Sequence, residues 1–130
     1  MTFTLNGRNL PNDPTLIPHA APSLSPQQRS LASVKVWRCG KEKTNQLGFE
    51  LYQIAIPELF DRPNVYSYED DTERFLSFQI AFLNWLIETD QLPDVIHCHD
   101  HHSGLIPFMV QHCFNYQNLK NTPTIITIHN

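Results

Sequence analysis

The sequence predicts an α/β fold, and three observations carry that prediction. Short segments between Val34 and Ile56 alternate apolar and polar residues, the period of half-buried strands. Asp70–Glu88 repeats its apolar residues at helical spacing. Beyond Pro93 a strand-like run, a helix-like run and a second strand-like run follow one another to Ile128. Such a strand–helix–strand unit pairs its strands in parallel, with a right-handed crossover.

Taken in order, residues 1–30 form a proline-rich arm or loop, expected to be poorly ordered. Five of the ten prolines fall between Pro11 and Pro26; proline removes a backbone donor and keeps its predecessor extended. Ordered structure is expected from near Ser33. Val34 with Val36, Phe49 with Leu51 and Ile54 with Ile56 mark two strands joined by a polar turn at Gly40–Gln46. Pro57 and Pro63 bracket a loop. A helix over Asp70–Glu88 follows, with Asp70 as its cap and Glu73 completing a capping box. Its stripe of Phe75, Leu76, Phe82, Leu83, Leu86 and Ile87 is read as core packing. A strand over Asp94–Cys98, a helix over Ser103–Tyr116 and a strand over Thr124–Ile128 complete the chain. Asp100 and His129 then lie just past the C-terminal ends of neighbouring strands about 4.8 Å apart. In open α/β sheets that is where ligands bind.

Composition narrows the function. The 130 residues make one domain or part of one. A net charge of −4, with nine basic residues and no basic run, argues against nucleic acid as a partner. No apolar stretch approaches the roughly 20 residues of a membrane span, and no signal pattern opens the chain. Cys39, Cys98 and Cys113 are odd in number and lack zinc-site spacing, which fits a reducing cytoplasm.

The chemistry is concentrated in Pro93–Pro107, PDVIHCHDHHSGLIP. Five of the seven histidines lie between His97 and His112. One reading is a zinc site, since imidazole and carboxylate both bind zinc. The cluster is similar to the H-x-H-x-D-H signature of metallo-β-lactamase-type hydrolases, with His97, Asp100 and His102 among its members. The register is wrong: Asp100 directly follows His99, and His101 stands where the ligand aspartate belongs. A second reading makes His97 and His99 hydrogen-bonded imidazoles in or near the core. For Asp100 the bland reading is capping of the helix that follows.

The third reading rests on a resemblance. PDVIHCHDHHSGLIP resembles the P-D-V-V-H-x-H-D-W-H-x-G-L-x-P segment of glycogen and starch synthases, glycosyltransferase family 5. TPTIITIHN resembles that family's following strand, which ends in T-[VI]-H-N. Leu59–Asn64 (LFDRPN) resembles its F/Y-D-R-P segment, and Tyr68–Phe75 (YEDDTERF) its Y-x-D-N-x-x-R-F helix start. The four segments occur in family order and span about Val34 to Asn130.

That resemblance implies a partial Rossmann-like domain over residues 31–130, the N-terminal half of a GT-B glycosyltransferase, with a mainly parallel sheet and flanking helices. It implies glucose transfer from ADP-glucose, or UDP-glucose, to the non-reducing end of an α-1,4-glucan, with retention and with no metal or cofactor. It assigns Asp100 and His129 as catalytic, facing the transferred glucose, and His102 and Asn130 as substrate-binding. His101 replaces the usual tryptophan and Asp71 the usual asparagine. The four glycines include no adjacent pair, so the family's phosphate-binding K-x-G-G loop is absent. The chain is therefore expected to be a fragment, inactive alone and prone to self-association. A non-catalytic carbohydrate- or partner-binding remnant is the alternative of a different class.

Overall fold

The computed structural model describes residues 2–5, 17–19, 37–41 and 49–129. They fall into two compact units, Met1–Ser67 and Tyr68–Asn130.

The first unit is a four-stranded antiparallel sheet. Its strands are β1 (Thr2–Leu5), β2 (Ile17–His19), β3 (Trp37–Lys41) and β4 (Glu50–Ala55), in the order β1-β4-β3-β2. The hairpin read from the alternation is β3 against β4, with Cys39 opposite Ile54. Two further strands flank it within residues 1–30, where a loop or arm is expected: β1, TFTL, alternates polar and apolar residues ahead of the first proline, and β2 contains Pro18. The rest of residues 1–30, and Ser33–Val36, lie outside the described residues. Along β4 and just beyond it the buried set is Tyr52, Ile54 and Ile56, while Phe49 is exposed. The inward period therefore starts at Tyr52 rather than at Leu51.

The second unit holds the parallel pairing. It runs α1 (Asp71–Glu88), β5 (Ile96–His99), a 3-10 turn (His101–Ser103), α2 (Ile106–His112), a second 3-10 segment (Phe114–Leu119) and β6 (Thr124–Thr127). Strands β5 and β6 are parallel neighbours, with Ile96 opposite Thr124 and His99 opposite Thr127. Among the described strands, parallel pairing is confined to this pair.

Helix α1 differs from the simple amphipathic stripe. Its residues from Arg74 to Leu86 are buried, Leu76 excepted, so it is covered nearly all round. The capping box does not form: the Asp70 side chain caps nothing. Instead the Asp71 carboxylate accepts from the Tyr68 backbone N–H at 3.1 Å and from Arg74 Nη1 at 2.6 Å. At its other end Asp90 takes a positive φ of 53°. The Asp90 N–H donates to Ile87 O at 3.2 Å and the Gln91 N–H to Leu86 O at 2.8 Å, closing a Schellman turn without glycine.

The expected helix Ser103–Tyr116 is broken into three pieces. Pro107 favours the first turn of α2, where its missing donor costs nothing. Cys113 is extended, with ψ 126°, and ends it. The chain then tightens into two short 3-10 turns joined by a kink at Tyr116 (φ −113°), and Tyr116 and Leu119 both reach the core. The Tyr116 hydroxyl donates to buried Asn84 Oδ1 on α1 at 3.0 Å. Among the described residues no helix is long and apolar enough to cross a membrane.

Candidate functional site at the ends of the parallel strands

Strand β5 alternates cleanly: Ile96 and Cys98 are buried, His97 and His99 exposed. Burial raises the Cys98 thiol pKa, and a hydrogen bond with Ser103 only partly offsets it. The two histidines share one face, with ring centroids 4.3 Å apart. His97 is therefore not a core imidazole. It is exposed, and its Nε2 lies 2.8 Å from Thr127 Oγ1 on β6.

The ladder ends at Asp100, whose N–H donates to Thr127 O at 2.9 Å. Asp100 has φ 57° and ψ −169°, close to a region almost reserved for glycine, at a cost of about 1–3 kcal/mol. Its carboxylate does not cap the following 3-10 turn. It crosses to the other strand end, where Oδ1 accepts the His129 backbone N–H at 2.7 Å. Asp100 and His129, 29 positions apart, thus meet as the parallel register requires. Asn130 lies outside the described residues.

The turn itself is closed by Ser103. Its Oγ accepts the His99 N–H and donates to the His99 carbonyl, both at 2.8 Å. His101 and His102 pack on Phe75 of α1, with ring centroids 5.3 and 4.3 Å away and planes 79° and 77° to its ring. His102 is half-buried, and its pKa is lowered, first by burial and then by the neighbouring His101. Phe75 in turn lies beside Arg74, whose guanidinium sits 4.7 Å from the Tyr68 ring centre. The YEDDTERF segment therefore builds the floor on which the two histidines rest.

One further residue fixes the turn. Gln79, 1% exposed, accepts the backbone N–H groups of Leu105 at 2.7 Å and Ile106 at 3.1 Å through Oε1. Its Nε2 donates to Phe75 O at 3.0 Å. It thus satisfies two orphan donors at the start of α2. Sequence reading missed Gln79, although it is a polar residue one helical turn from Phe75 on the apolar stripe. It also missed Ser103, read only as part of a small-residue break, and gave His99 no place in the sugar site.

Among the described residues no group of three or more His, Cys, Asp or Glu side chains is arranged to hold a metal ion. What the strand ends offer is a set of hydrogen-bonding groups: exposed imidazoles beside a half-buried carboxylate and hydroxyl, held by a buried frame. Such a set suits a polyhydroxylated ligand.

Residues 14–130 match the starch synthase catalytic domain family. That match begins within the proline-rich stretch, earlier than the boundary near Val34 read from the motifs. The glycogen synthase of Flavobacterium johnsoniae is 63% identical over 90 residues, 69% of this chain and 19% of that protein. The glycogen synthase of Geobacillus thermodenitrificans is 37% identical over 117 residues, 85% of this chain and 24% of that protein. The solved catalytic domain of starch synthase IV from Arabidopsis thaliana, bound to ADP and acarbose, has the same fold. It superposes with a TM-score of 0.66 at 20% identity, over 99% of this chain and 23% of that one. The chain thus spans between a fifth and a quarter of the length of the relatives it matches.

Proposed function

The chain belongs to the starch synthase catalytic domain family, and from that premise we propose that it is the part of a glycogen or starch synthase that presents Asp100 and His129 to the transferred glucose. The donor is ADP-glucose or UDP-glucose and the acceptor an α-1,4-glucan, with transfer to the non-reducing end and retention of configuration. One observation carries the site assignment. The parallel strands β5 and β6 end side by side, and Asp100 Oδ1 holds the His129 backbone at 2.7 Å.

The chemistry follows from that pairing. Oδ1 of Asp100 is engaged, and its second oxygen can accept a sugar hydroxyl. His129, exposed and held at its backbone, offers its ring to the same sugar. Preorganised groups of this kind act by orienting the substrate and by matching charge that develops in the transition state. His102, seated on Phe75, shapes the acceptor side of the turn, and Asn130 completes the substrate contacts. The cytoplasm suits the free thiols of Cys98 and Cys113. Self-association belongs to the same reading: Ile125, Ile126 and Ile128 are 53%, 46% and 72% exposed along and just past β6. A molar mass by light scattering that stays monomeric at every concentration would count against it.

The test is a chimera in which Tyr68–Asn130 replaces its counterpart in the Flavobacterium johnsoniae glycogen synthase. The chimera should transfer glucose. Asp100→Ala and His129→Ala within it should each lower the rate by roughly two to three powers of ten, the range for losing a preorganised polar contact. A chimera that folds but transfers nothing, or full activity in either variant, overturns the reading.

A further inference from the structure

The geometry points to His99 as a positioning residue that sets the orientation of the His129 ring and couples the tautomer of that ring to its own; this rests on the assignment of His129 to the sugar. His99 Nδ1 and His129 Nε2 lie 3.0 Å apart, and the two rings are 16° from parallel with centroids 5.3 Å apart. At that distance one nitrogen carries the proton that the other accepts. A neutral imidazole has one donor and one acceptor nitrogen. Whichever nitrogen of the pair carries the proton, the role of His129 Nε2 dictates the opposite role at its Nδ1. The ring that faces the sugar is thus held in one orientation, with its tautomer coupled to that of His99.

Three further contacts make His99 suited to this task. Ser103 Oγ grips both its N–H and its carbonyl at 2.8 Å, so its backbone is held within the turn. The His97 ring packs on its ring at 4.3 Å, and His97 is itself anchored to Thr127 Oγ1. On the other side His129 stands two residues past the end of β6, beyond the reach of the ladder. Asp100 Oδ1 holds its backbone, and His99 holds its ring. An exposed side chain past a strand end otherwise samples several rotamers, and each ordered rotor costs free energy when a ligand needs one of them.

Two substitutions separate the nitrogen from the ring. His99→Asn places an amide near the position of Nδ1 and removes the stacked ring. His99→Phe keeps a ring against His97 and His129 and removes the nitrogen. Long-range 15N–1H imidazole spectra of the 130-residue chain read the His129 tautomer directly. His99→Phe should shift the His129 tautomer ratio away from that of the wild type. In the chimera described above, His99→Phe should lower kcat about ten- to a hundred-fold with little change in donor KM, and His99→Asn should recover most of it. An unchanged His129 tautomer in His99→Phe overturns the pairing. A shifted tautomer ratio with unchanged kcat overturns the positioning role. Full transfer by His129→Ala overturns the sugar-site reading instead, whatever the spectra show.

Discussion

Polar side chains lie on both sides of the Asp100–Gly104 turn, and the two sides differ in what they do. On the buried side Gln79, Asn84 and Arg74 are 1%, 7% and 3% exposed, and each has partners fixed within the unit: backbone N–H groups, the Tyr116 hydroxyl and the Asp71 carboxylate. On the open side His97, His99 and His129 are exposed, and their partners are one another, Thr127 and Asp100. A buried polar group must be satisfied or the fold loses stability. An exposed one can find water, so its order adds little to folding. The buried side is a frame, and on the proposed reading the open side is a set of groups held ready for a ligand at the cost of a strained Asp100.

The largest expected effect on stability tests the frame. Gln79→Leu leaves the donors of Leu105 and Ile106 without their acceptor, and should lower stability by about 2–4 kcal/mol, read as a fall in the urea midpoint at constant m-value. A loss below about 0.5 kcal/mol would mean that the turn is held by other contacts. A smaller effect of opposite sign is expected where strain has no partner across the strand ends. Asp90 closes the Schellman turn at φ 53°, so Asp90→Gly should stabilise by about 0.5–1 kcal/mol; a destabilisation in the same assay would contradict that account of the helix end.

The smallest effect concerns pH. The folded-state pKa of His102 lies below the ordinary 6.5, first because it is partly buried and second because His101 is beside it, with Asp100 and Asp71 opposing. The unfolded chain then binds a proton more readily than the folded one. The contribution of His102 to stability is full above about pH 6.5 and is lost as pH falls toward the folded value. Unfolding midpoints between pH 7 and 5 should fall, and His102→Gln should flatten that fall. An equal slope in both proteins would remove His102 from the cause.

Much of this was legible in the chain. The alternation of buried Ile96 and Cys98 with exposed His97 and His99 marks β5, and the register of two parallel strands brings Asp100 to His129 without any side-chain detail. Three features were hidden, each for a physical reason. The break at Cys113 depends on Tyr116 reaching Asn84 in three dimensions, and local periodicity does not encode that contact. Gln79 acts through backbone donors of another element, so its role leaves no trace in spacing beyond a polar residue on an apolar stripe. The positive φ of Asp100 follows from its two ties to β6, which exist only once the strands pair. Strand β2 is three residues long and contains Pro18 amid other prolines, which masks its pairing run; β1 alternates over only four residues, Thr2–Leu5, and pairs with β4 far along the chain.

The division between frame and open side is tested most directly at Asp100. Glycine accepts φ 57° without strain and removes the carboxylate. Urea unfolding of the chain carrying Asp100→Gly, measured beside glucosyl transfer by the chimera carrying the same change, separates fold from function. The account predicts stability at or above that of Asp100→Ala by about 1 kcal/mol, together with transfer lowered by roughly two to three powers of ten. Transfer within a few-fold of the unsubstituted chimera, or a chain that no longer folds, would contradict it.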